Sequence, residues 1–159
     1  MEKELAKSFA ARITQASKTE LIVIMYEVIL SDIQSAKEKL SNGETEGFKH
    51  DIKHGQKFLN ELMSSLDYTY DISLNLMSLY IFINKALVDA QYQMERKPLQ
   101  DAEEVLQILM KGFEGIAKED KSGPVMRNTG QIYAGLTYGR GVLNETYVDP
   151  NQVNRGFKA

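Results

Sequence analysis

Cysteine and tryptophan are absent from this 159-residue chain, histidine occurs twice and proline three times. The lack of cysteine excludes disulfides, thiolate metal sites and cysteine nucleophiles. His50 and His54, four apart with Asp51 between them, make half a metal site, and no third histidine or cysteine completes it. No G-x-S-x-G occurs, and no motif places a pair of carboxylates. The glycine-rich stretch from Gly135 to Gly141 lacks the Lys-Ser/Thr ending of a phosphate loop and follows no strand pattern. The expectation is a protein with no catalytic residue, no metal and no cofactor, and hence not an enzyme.

Long apolar runs are also missing. Leu21 to Leu30 and Leu74 to Ile83 are interrupted by polar residues and read as too short to span a bilayer. The opening Met-Glu-Lys-Glu-Leu lacks the apolar core of a secretory signal. A formal net charge of -3 is too mild for nucleic-acid or bulk membrane-surface binding. A cytoplasmic protein with no membrane insertion is expected, and 43% hydrophobic with 26% charged residues suits a folded domain.

With prolines only at 98, 124 and 150, the first 97 residues are free of the strongest helix breaker. Four helices are predicted. Ser17-Lys18-Thr19-Glu20 has the S-x-x-E form of a capping box, and Ile22, Tyr26, Ile29, Ile33, Ala36 and Leu40 follow at helical spacing. Asn42-Gly43 ends that helix. The second seam is Phe48, Ile52, Gly55, Leu59, Leu62 and Leu66, before a turn over Asp67 to Asp71. The third is Ile72, Leu76, Leu79, Ile83, Ala86 and Ala90; the fourth, after Lys97-Pro98, is Ala102, Leu106, Leu109, Phe113 and Ile116. Short connections imply antiparallel neighbours. The expected fold is all-α: an antiparallel up-down four-helix bundle over residues 1–120, with a short N-terminal segment and a Gly-rich C-terminal tail over residues 121–159.

That tail holds six of the eleven glycines and five Lys/Arg against two Asp/Glu, a net +3, so the first 120 residues carry -6. A basic tail bearing Ile132, Tyr133, Leu136 and Tyr138 could fold back on the acidic bundle or stand as a disordered extension.

The most informative feature is apolar surface that the seams leave over. On the third helix Leu74, Met77, Ile81 and Val88 fall almost opposite the core seam. The first helix repeats this with Leu21, Ile24 and Val28, and the fourth carries Ile108, Gly112 and Gly115 off its seam. Each interior glycine costs about 1 kcal/mol relative to alanine, which a closely approaching backbone would explain. Leaving a large apolar side chain in water forgoes roughly 1.5–3 kcal/mol. The cover could be the N-terminal segment, the tail, a second copy, or a partner helix in a groove. The plain alternative is a central third helix covered on both sides by its own chain.

Three blocks resemble the flagellar export chaperone family (FliS). Gln15-Ala16-Ser17-Lys18-Thr19-Glu20-Leu21-Ile22-Val23-Ile24-Met25-Tyr26 is similar to its opening helix, a Thr-Ala-Ser-Pro-Glu-type cap before an aliphatic run ending in Leu-Tyr. Leu59-Asn60-Glu61-Leu62-Met63-Ser64-Ser65-Leu66-Asp67 resembles its Glu-Leu-x-x-x-Leu-Asp stretch, and Ile72-Ser73-Leu74-Asn75-Leu76-Met77-Ser78-Leu79-Tyr80 its Asn-Leu-x-x-Leu-Tyr core. Lys18 replaces the usual cap proline, Glu27-Val28-Ile29 replaces Asp-Gly-Ala, and the fourth helix lacks the family's tryptophan. The resemblance implies a cytoplasmic chaperone that binds the C-terminal segment of flagellin and prevents its polymerisation before type III flagellar secretion. Leu21, Ile24, Val28, Leu74, Met77, Ile81, Val88, Ile108 and Gly112 are the candidate partner-binding residues. Two rivals remain. His50-Asp51-Ile52-Lys53-His54-Gly55 is similar to a histidine phosphotransfer bundle, and a generic adaptor would form a homo-oligomer without a client.

Overall fold

The structure, a computed structural model, describes residues 3–126. Ile132, Tyr133, Leu136 and Tyr138 of the expected tail lie outside the described residues. Five helices form and no strand does among the described residues: α1 Lys3–Gln15, α2 Lys18–Ser41, α3 Thr45–Ser64, α4 Ile72–Gln93 and α5 Lys97–Glu119. The expected N-terminal segment is itself a helix, because Phe9 and Ile13 stand four apart and meet α2 on one face.

The capping box of α2 is complete. Ser17 Oγ accepts from the Glu20 N–H at 3.3 Å, while Glu20 Oε2 accepts from the Ser17 N–H at 3.1 Å. Gly43 takes a left-handed φ of 75° just after the Asn42 cap, where a side chain would be strained. Pro98 sits in the first turn of α5, where its missing N–H costs nothing.

Helix α2 packs against α3 and α5, α4 packs against the same two, and α1 lies beside α2. Ile29 and Ile33 from α2, Phe48 and Leu59 from α3, Ile83 from α4 and Leu106 from α5 share one buried core. The backbones of α2 and α4 do not approach closely, yet Tyr26 and Tyr80 meet across the centre and share a 2.6 Å hydrogen bond between their hydroxyls. Burial raises the pKa of both phenols and keeps them neutral.

This pair accounts for a shift in the third seam. Ser73, Leu76, Tyr80, Ile83, Ala86, Leu87 and Ala90 point inward on α4, so the expected seam holds at Leu76, Ile83, Ala86 and Ala90, whereas Ile72 and Leu79 are exposed. A buried tyrosine hydroxyl requires a partner, and turning α4 to bring Tyr80 to Tyr26 moves Leu79 outward. On α5 the buried seam begins one turn early at Leu99, and Ile116 is exposed.

Helix α4 has 22 residues and contains an 18-residue window of mean hydropathy 1.2, so by length and composition it is long and apolar enough to cross a membrane. The shorter run considered in the sequence understated this. Its inner face is filled with core residues packed on α3 and α5, which leaves the outer face as the surplus.

Candidate interaction surface

The surplus stripe of α4 is bare. Leu74, Ile81 and Val88 are 67%, 57% and 47% exposed, with Met77 half-buried between them. Leu74, Ile81 and Val88 stand seven residues apart, which returns them to nearly one line after two turns of an α-helix. Tyr92 extends the line one turn further and is 90% exposed. With Val88, Gln91, Met94, Thr45 and Lys49 it borders an open depression of about 700 Å³ between the end of α4 and the start of α3. Tyr92 was missed in the sequence, although its i+4 spacing from Val88 was the available signal. Phe82, also exposed, broadens the apolar face.

The stripe on α2 has a different fate. Ile24 and Val28 are 3% and 1% exposed, and Leu21 is half-buried. They form a second apolar cluster with Phe9 and Ala16, flanked by Ile13 and by Phe58 of α3. Of the covers considered, α1 is the one that lies on this stripe. Arg12 adds a two-pronged ion pair to Glu27, with Nη2 donating to Oε1 at 2.9 Å, and its guanidinium lies 5.9 Å from the centre of the Phe9 ring. This is the least extensive helix contact in the fold: α1 touches no helix backbone except that of α2.

On α5, Ile108 is exposed beside Glu104, Gln107 and Lys111. Gly112 and Gly115 are exposed as well, and a methyl group added at either would meet nothing within 4 Å. No backbone of the described residues approaches them, so the close contact expected from their glycines is not made among the described residues.

Polar chemistry concentrates between α2 and α3. Asp51 is fully buried, accepting from Ser35 Oγ at 2.5 Å and pairing with Lys39 Nζ at 2.8 Å. Burial alone would push its carboxyl up, but the hydrogen bonds from Lys39, Ser35 and His50 outweigh that and hold it below the ordinary value. His54 does not simply face solvent: its Nδ1 lies 2.6 Å from Oδ2 of the buried Asp32, and its ring packs tilted at 56° against Phe58, with centroids 5.1 Å apart. Lys37 and Glu103 join α2 to α5 in a largely buried ion pair. Among the described residues no group of three His, Cys, Asp or Glu side chains is placed to hold a metal ion. These contacts tie helices together, while the outward-facing stripe of α4 offers apolar area and shape.

Residues 1–120 match the family described as flagellar protein FliS. No curated protein matches the chain. The matched span takes in all five helices, including the capped start of α2 and the whole of α4, and the chain therefore belongs to the FliS family of flagellar export chaperones.

Proposed function

We propose that this protein binds the C-terminal segment of flagellin in the cytoplasm and keeps it from polymerising before type III flagellar secretion. The observation that carries this reading is the uncovered stripe Leu74, Met77, Ile81 and Val88 on a helix whose opposite face already fills the core. An amphipathic client segment laid on that stripe would remove it from water, in a helix-in-groove mode with folding of the client on contact. Ile108 and Gly112 offer further contact area on α5. Leu21, Ile24 and Val28 join the surface only when α1 lifts from α2.

Calorimetric titration with a peptide from the C-terminal end of the same organism's flagellin tests this. The expected outcome is saturable one-to-one binding with a negative heat-capacity change. Absence of binding at high micromolar peptide, together with a mass that rises with protein concentration, would replace the chaperone reading with a self-associating adaptor.

A further inference from the structure

The chain does not leave the bundle where α5 ends. The Asp120 N–H closes the last turn by donating to the carbonyls of Ile116 and Ala117. Its side chain then reaches across to the start of α2, where Oδ2 accepts from Thr19 Oγ1 at 2.9 Å. The other oxygen, Oδ1, accepts from the Ser122 N–H at 2.9 Å and from Ser122 Oγ at 2.5 Å, bending the following residues back. Farther along, the Val125 N–H donates to the Ala16 carbonyl at 3.1 Å.

Ala16 and Ser17 are the two residues that join α1 to α2, and both are buried. A swing of α1 that turns about the Ser17 N–Cα bond carries the Ala16 carbonyl with it, which breaks the Val125 bond together with the Ser17–Glu20 capping bond. The carboxylate of Asp120 also sits at the positive end of the α2 dipole, a favourable place for an anion. Hydrogen bonds from Ser122 and Thr19 hold its pKa well below the ordinary carboxylate value, so it stays charged at every pH near neutrality.

We infer that residues 120–125 are a strap across the α1–α2 hinge that holds α1 down, so that the end of α5 governs access to Ile24 and Val28. The strap as a restraint on α1 stands on the geometry alone; its bearing on client access rests on the function proposed above.

Hydrogen exchange on the full chain without client, read beside the affinity for the flagellin peptide, separates the two. Thr19→Val removes the hydroxyl bonded to Asp120, and Val125→Pro removes the N–H bonded to Ala16 while touching no helix. Amides of residues 7–15, which have intrahelical partners, should exchange about fivefold faster in each variant, the effect of losing one ordinary hydrogen bond. Core amides of α2 to α5 should keep their protection. Unchanged α1 exchange in both variants overturns the strap, and so does equal acceleration throughout the core in Val125→Pro. Faster α1 exchange with tighter binding of the flagellin peptide supports both statements. Faster exchange with unchanged affinity keeps the strap and overturns its control of client access.

Discussion

Two surplus apolar stripes, one on α2 and one on α4, read alike in sequence and end differently in the structure. Leu21, Ile24 and Val28 are roofed by α1, whereas Leu74, Ile81 and Val88 face water. The difference lies in what the chain has available nearby. The α2 stripe begins just after a two-residue link, so α1 can fold back on it at little loop-closure cost. No helix of the described chain lies over the α4 stripe. A surplus stripe thus marks a demand for cover: α1 can meet it on α2 because it takes no part in the main core, whereas α3 and α5, the chain neighbours of α4, are already used there.

The largest expected effect comes from placing a charge under the roof. Ile24→Asp puts an unpaired carboxylate into the α1–α2 cluster and should cost about 3 kcal/mol or more of the α1–α2 contact. Urea unfolding with exchange at α1 amides reads this out; a loss below about 1 kcal/mol would mean that the roof is wet. The same change on the bare stripe, Ile81→Asp, should leave stability within about 0.5 kcal/mol. It should also weaken the flagellin peptide at least tenfold, about 1.4 kcal/mol. Unchanged affinity removes the outer face of α4 from the partner surface.

Tyr80→Phe probes the inner face of the same helix. It leaves the buried Tyr26 hydroxyl without its partner and should cost roughly 1–3 kcal/mol in urea unfolding. Acid gives the mildest contrast. Asp51 has a folded-state pKa below its unfolded value, so its stabilisation is present above about pH 4 and is lost as pH falls through the depressed value. Asp51→Asn should flatten that part of the acid profile, while Ile81→Asp should leave its shape below pH 3 unaltered. An unflattened profile in Asp51→Asn would assign the acid sensitivity to other carboxylates.

Much of the bundle was legible because it depends on local rules. The Ser17–Glu20 capping box, the Asn42-Gly43 stop and the α2 and α3 seams rest on residues within a few positions of one another. The α4 seam was right at Leu76, Ile83, Ala86 and Ala90 and misplaced at Ile72 and Leu79, because the choice between apolar Leu79 and Tyr80 is made by a partner 54 residues away. The N-terminal helix escaped notice because Lys3 to Gln15 carries few apolar residues, although Leu5, Phe9 and Ile13 recur every four. The α2 part of the candidate surface was visible as apolar, but its cover depended on that overlooked helix. The strap could not be read at all: nothing in Thr19, Asp120 or Val125 signals that they meet.

The hydroxyl pair at the bundle centre has a consequence on the outside. Each step of one residue turns an α-helix by about 100°. Tyr26 and Tyr80 therefore act as an index pin for α4: while their bond holds, one rotational setting of that helix is selected, and every outward residue is selected with it. Were α4 to turn so that Leu79 replaced Tyr80 inside, Leu74, Ile81 and Val88 would no longer define the same azimuth. The orientation of the surface offered to a partner is set from within, by two oxygen atoms that the partner never touches.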